Sequence, residues 1–174
     1  MDYSEERIKG FRWPVSVSWK IDTSPQSIWE AITRPGNLKD CHPFCESNPV
    51  VEWPGVGSKD IIQYFSGWVL HREFVNWIKG IGYDLTIGRE GGRKSFVSWR
   101  IADNQDGTGK LRITIYPHAL QSVPLAIRWL PHTLYLQPAL HSYLESVVKG
   151  FEWFITTGKP VYRNQFGSQE WFSG

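Results

Sequence analysis

From residue 49 to residue 116, short β-branched or aromatic runs are cut every few residues by Gly-rich or Asp-Gly turns. "VVEW", "KDIIQYF", "WVLHREFVNWI", "YDLTI", "SFVSWRI" and "LRITIY" are separated by "PGVG", Ser66-Gly67, "KGIG", "REGGR" and "DNQDGTG". Such punctuation marks consecutive antiparallel hairpins. It predicts six strands, and the alternating stretch "FRWPVSVSWKI" at 11–21 makes seven. There Val15, Val17, Trp19 and Ile21 fall on one side, and Ser16, Ser18 and Lys20 on the other. A sheet with one apolar face must cover that face.

The cover is written near the end of the chain. Pro138 can open a long helix that runs to about Thr157, where Gly158 stops it and Pro160 follows. Leu140, Tyr143, Leu144, Val147, Val148, Phe151, Phe154 and Ile155 form a wide apolar stripe on it. Between the first strand and the hairpins, "TSPQSIWEAIT" predicts a second helix with Ser24 as N-cap and Pro25 at the first helical position. "NLKDC" adds one short turn before Pro43. "HALQSVPLAIRWLPH", with two prolines, reads as a short broken helix or loop. The tail "YRNQFGSQEWFS" is expected to lie against the domain. The length fits a single domain over 1–174, with its core at about 12–160 and a tail at 161–174.

This order of elements, α+β, predicts a strongly bent seven-stranded antiparallel sheet gripping the last helix, with two short helices closing one end. A space is left between sheet and helix. The aromatic load (10 Trp, 9 Phe and 7 Tyr) suits thick packing or the walls of an apolar pocket.

Three stretches, "IDTSPQSIWEAITRPGNL", "VVEWPGVGSKD" and "VVKGFEWFITTGKPV", resemble in that order the START/SRPBCC helix-grip superfamily. That superfamily includes pollen-allergen-like carriers, polyketide cyclases and lipid-transfer domains. The resemblance spans about residues 12 to 160 and is specific for the fold rather than for an activity. It implies a helix-grip domain that binds an apolar or aromatic small molecule, such as a lipid or polyketide, in its cavity. A polyketide cyclase/dehydrase-like enzyme acting in the same cavity is the first alternative. A protein-interaction module with a filled core, using the tail and "VPLAIRWL" as its surface, is the second. A fourth reading has "AIRWLP" dipping into a membrane surface to collect a lipid.

Both cysteines and one histidine crowd into "KDCHPFCESNP" at 39–49. A structural zinc site wants four ligands, commonly in two close pairs, and here one Cys-x3-Cys stands without a second pair. A redox pair needs two intervening residues, not three. The thiols are read as small buried hydrophobes, so no metal and no cofactor is expected. His42 is placed at the cavity rim as a candidate ligand contact, with Phe44 shaping the bend.

The strand "WVLHREFVNWI" offers two faces. Leu70, Arg72, Phe74, Asn76 and Ile78 form one, and Val69, His71, Glu73, Val75 and Trp77 the other. If the first faces inward, Arg72 and Asn76 are polar groups in an apolar cavity and must be hydrogen-bonded or ligand-paired. If the second does, Arg72 is simply solvated. Tyr64, Trp99, Tyr143 and Val147 complete the candidate wall, with Ile62, Val97 and Ile101 on the same apolar side.

Other classes lose support. The 19 basic and 17 acidic residues are spread along the chain and leave no footprint for nucleic acid. No apolar run approaches the roughly 18 residues of a membrane span, so no stable membrane insertion is expected. "MDYSEERIKG" has no signal-peptide pattern, and the expectation is a reducing, cytoplasmic setting. "GVGSKD" joins two strands rather than opening a helix, so it is a hairpin turn and not a phosphate cradle.

Overall fold

The computed structural model describes residues 13–120 and 123–174. The first two residues of the 11–21 alternation, the opening decapeptide, and Gln121 and Ser122 of the proline-containing stretch lie outside them. β1 (Val15–Ile21) follows the expected alternation, with Val15, Val17 and Ile21 buried and Ser16, Ser18 and Lys20 exposed. α1 (Pro25–Thr33) begins where its cap predicts: the Ser27 N–H donates to Ser24 Oγ at 3.1 Å, and Pro25 opens the first turn. It ends because Asn37 Nδ2 donates to the carbonyls of Ala31 and Ile32, at 3.0 and 2.7 Å. α2 (Leu38–Cys41) is the single turn expected before Pro43.

Eight strands follow one another in one antiparallel sheet. After β1 come β2 (Cys45–Ser47), β3 (Val50–Glu52), β4 (Lys59–Tyr64), β5 (Val69–Ile78), β6 (Gly82–Gly88), β7 (Lys94–Asp103) and β8 (Gly109–Tyr116). The main path is β1-β8-β7-β6-β5-β4-β2, seven strands long, and β3 pairs with β4 beside it. The strand not foreseen is β2. It is three residues long and sits inside the cysteine stretch, too short to show a period. β2 pairs with Gln63 and Tyr64 and β3 with Lys59 and Asp60, so the two share one edge of β4 in tandem.

The covering helix is longer than its sequence suggests. α3 (Leu125–Pro131) runs through a π-helical turn at His132–Leu136 into α4 (Gln137–Thr157) without a break. The proline-containing stretch read as a broken helix or loop is therefore helical from residue 125. Pro131 removes one backbone donor, and a wide π turn absorbs that loss while the axis continues. Gly158 caps α4 at φ 68°, donating its N–H to the Phe154 carbonyl at 2.8 Å.

α4 buries Leu140, Tyr143, Leu144, Val147, Val148 and Phe151 against the curled sheet, as its stripe predicts. Trp19 ties β1 to its far side through an indole N–H donated to Glu152 at 2.8 Å. α2 crosses α4 at Gly150, where a Cβ would lie 2.1 Å from the Cys41 carbonyl oxygen. The tail does lie against the domain. Phe172 is buried on Tyr64 and Tyr143, with ring centroids 4.5 and 4.7 Å apart, and Arg163 donates to the Ser173 carbonyl.

Candidate functional site

Between the sheet and α4 lies a cavity of about 640 Å³. Its walls are mainly aliphatic: Ile62 and Leu70 from β4 and β5, Leu85 from β6, Val97 from β7, Ile113 from β8 and Val147 from α4. The lining runs out to exposed Arg89 and Gly92 of the β6–β7 turn, Ala119 after β8, and Tyr135, which mark the mouth. Beside the mouth, Ile127, Trp129 and Leu134 are exposed on α3 and the π turn.

At the inner wall four polar side chains converge. His42 closes α2 and accepts the Phe44 backbone N–H on Nδ1 at 3.2 Å. That bond leaves the ring proton on Nε2, which donates to Tyr143 Oη at 2.9 Å. Tyr143 Oη in turn lies 2.9 Å from Tyr64 Oη. The fourth group is Arg72 on β5. It faces the buried Asp60 directly across β4 and forks onto it, Nε to Oδ1 at 2.6 Å and Nη2 to Oδ2.

Burial sets the charge of every member. It pushes the His42 imidazole down to about 3, helped by the Arg72 charge, so the ring is neutral at physiological pH. It pushes Tyr143 up to about 12 and Tyr64 well above the usual phenol range, with Tyr143 adding to the effect on Tyr64. Burial also works against the Arg72 charge, but the Asp60 carboxylate outweighs it and holds the guanidinium above its ordinary value. The inner wall is thus polar and neutral in sum.

Of the nine candidate residues, His42, Tyr64, Arg72, Trp99, Tyr143 and Val147 line the cavity. His42 is buried in the inner wall rather than at the rim expected for it. Phe44 and Phe74 are buried behind the lining. Phe44 stacks on Tyr143 at 5.8 Å, and Phe74 packs on Trp53 and Tyr83. Asn76 is not in the cavity wall. The β5–β6 register slips between Phe74 and Asn76, and a bulge of this kind reverses which side chains point inward. Asn76 therefore donates to Asp84 at 2.9 Å, while Trp77 takes the inward place and stacks on Tyr83. The open choice of face for this strand resolves at the bulge: Arg72 and Phe74 are inward before it, Trp77 after it.

Sequence reasoning missed Asp60 and Phe172. Asp60 carried a usable signal, since it shares a period-two face with Ile62 and Tyr64 and is an acid among core positions. Trp171 and Phe172 at the cavity wall had no periodic signal, because the tail has no regular structure there. Cys41 and Cys45 are free and buried, and burial pushes the Cys45 thiol up to about 12 and Cys41 further. Neither carries a thiolate at neutral pH, which is the form redox chemistry and metal ligation require. Among the described residues no group of three or more His, Cys, Asp or Glu side chains is placed to hold a metal ion. No helix among them is long and apolar enough to cross a membrane.

No protein-family model and no curated protein matches the chain. Solved structures do. The chain is similar to SA2116 of Staphylococcus aureus, a protein of unknown function, with TM-score 0.67 and 15% identity, covering 84% of this chain and 94% of that one. It is similar to Ara h 8.0201 with TM-score 0.63 and 16% identity, covering 83% and 98%. DynU16, from the dynemicin biosynthetic locus, gives TM-score 0.65 and 15% identity over 87% of this chain, which spans about half (51%) of that one. At such identities the likeness is one of fold.

Proposed function

We propose, from the START/SRPBCC helix-grip fold that this chain has, that it binds a small hydrophobic or aromatic molecule non-covalently in the space between sheet and helix. The observation that carries this reading is the cavity: about 640 Å³, walled mainly by aliphatic side chains, with one buried polar cluster at its inner end and a second polar set, Arg89, Arg93, Ser95 and His118, toward the mouth. Small-molecule sites have this size and this division of labour, in which apolar walls supply affinity and a few polar groups supply orientation. The likeness to a protein of the dynemicin biosynthetic locus supports the same reading.

The cyclase/dehydrase alternative asks for a side chain that takes or gives a proton near neutrality. His42 is neutral down to about pH 3 with both ring nitrogens engaged, and Arg72 is held by Asp60. These facts favour binding over turnover. The interaction-module alternative asks for a filled core, which the cavity is not.

The test is a fluorescence titration with anthracene, a rigid apolar probe, on the wild type and on Val147→Trp. The indole would occupy the cavity from the α4 side. The expected result is saturable binding to the wild type that falls at least about tenfold in the variant, with thermal unfolding showing that the variant is folded. Equal binding by both proteins, or none by either, would sink the reading.

A further inference from the structure

The polar end of the cavity can be counted proton by proton. His42 Nδ1 is occupied by the Phe44 N–H, so the ring supplies one donor, Nε2–H. Tyr64 and Tyr143 supply one O–H each. These three donors share two hydrogen bonds, His42 to Tyr143 and Tyr143 to Tyr64. Whichever way the tyrosine–tyrosine bond runs, one O–H is left over. If Tyr143 donates to Tyr64, the spare proton is on Tyr64; if the reverse, it is on Tyr143. Both residues line the cavity, and among the described residues neither hydroxyl has a further acceptor.

The neighbouring charge points the same way. Arg72 Nε and Nη2 are spent on the two oxygens of Asp60. Its Nη1 has no acceptor among the described residues, and Arg72 also lines the cavity. The Asp60 carboxylate is fully buried and already engaged, so it offers nothing to a ligand. The inner wall therefore presents one hydroxyl proton and one guanidinium N–H without acceptors, and carries no net charge. A carboxylate ligand would be buried with no charge left to balance it, which is costly. A hydroxyl ligand can accept the spare O–H, but it adds a proton of its own that must find a tyrosine oxygen in return, so it fits only by closing a ring with both tyrosines. A carbonyl oxygen accepts two hydrogen bonds and brings neither problem.

We infer that the ligand class is a neutral apolar molecule carrying a carbonyl-type oxygen, such as a ketone or quinone, and that the spare hydroxyl of the Tyr64–Tyr143 chain donates to it. This deepens the proposed binding function and rests on it. Each tyrosine is then a specificity residue. A hydrocarbon of the same shape fits the walls but leaves the spare O–H unmatched.

The experiment compares anthraquinone, anthracene and anthracenecarboxylate by fluorescence titration on the wild type and on the triple variant His42→Phe/Tyr64→Phe/Tyr143→Phe. The two hydroxyls and the His42 Nε2–H are removed together because any one of them left in place would be a spare donor. The wild type is expected to hold anthraquinone about tenfold or more tighter than anthracene, with the carboxylate weakest. In the triple variant, anthraquinone loses most of its advantage over anthracene. A second readout does not depend on the variant's folding: the infrared carbonyl stretch of anthraquinone bound to the wild type should move to lower frequency than in alkane. Equal binding of anthraquinone and anthracene, or an unshifted carbonyl, overturns the acceptor inference and leaves the cavity reading standing. Tightest binding of the carboxylate overturns the neutrality of the ligand. If none of the three probes binds, both the inference and the cavity reading beneath it fall.

Discussion

His42 holds a neutral imidazole in an interior where its ordinary counterpart would take up a proton near pH 6.5. Burial lowers the folded value to about 3, below the unfolded value. Between those two pH values the unfolded chain binds the extra proton and the folded chain does not. The stabilising contribution is therefore complete above about pH 6.5 and is lost as pH falls toward about 3. Chemical denaturation at a series of pH values should show unfolding free energy falling by several kcal/mol over that window, and His42→Gln should flatten that part of the slope. The Arg72–Asp60 pair makes a second residue-scale prediction. Removing one partner of a buried pair strands the other charge, so Asp60→Ala should cost about 3–5 kcal/mol. Replacing both, as in Asp60→Leu/Arg72→Met, should cost clearly less than the sum of the single changes, which equilibrium unfolding of the four proteins of the cycle measures. Of this site, the sequence exposed Arg72 as a polar residue on an apolar face, but not its partner. The charge of one strand is read against its own alternation, whereas pairing depends on the register between two strands.

At the scale of elements, the caps and periods predict well and the irregularities do not. Ser24, Pro25, Gly158 and the α4 stripe all act through neighbours a few residues away, so their roles are legible in order along the chain. The bulge at Val75 is set by how β5 meets β6, and it turned Asn76 out of the cavity wall and Trp77 in. The π turn likewise hid the continuity of α3 and α4, because two prolines read locally as breaks. Close crossing of α2 over α4 is another non-local demand. Gly150 meets it by having no side chain where the Cys41 carbonyl passes. Gly150→Ala gains helix propensity but forces the backbone of α2 away. The net expectation is destabilisation by about 1–3 kcal/mol, visible as a lowered unfolding midpoint.

For the whole molecule, the sheet and its long helix are held apart at one end and packed at the other. At the packed end Trp99 of the sheet meets Phe151 of α4, and Trp29, Trp53, Trp77 and Tyr83 form an aromatic cluster between α1 and the sheet. Toward α3 the interval stays open as the cavity, with Trp171 and Phe172 of the tail forming part of its wall. The overall order of elements made such a space legible in the sequence; its polar end was not, since it depends on α2, β4, β5 and α4 meeting at one point. On the proposed function, ligand enters this space rather than resting on the exposed apolar residues beside the mouth. Methyl-resolved NMR during titration with anthraquinone separates the two directly. The methyl signals of Ile62, Leu85, Val97 and Val147 should shift together and saturate, while those of Ile127 and Leu134 stay in place. Shifts confined to Ile127 and Leu134, with the cavity methyls unmoved, would contradict the proposed function.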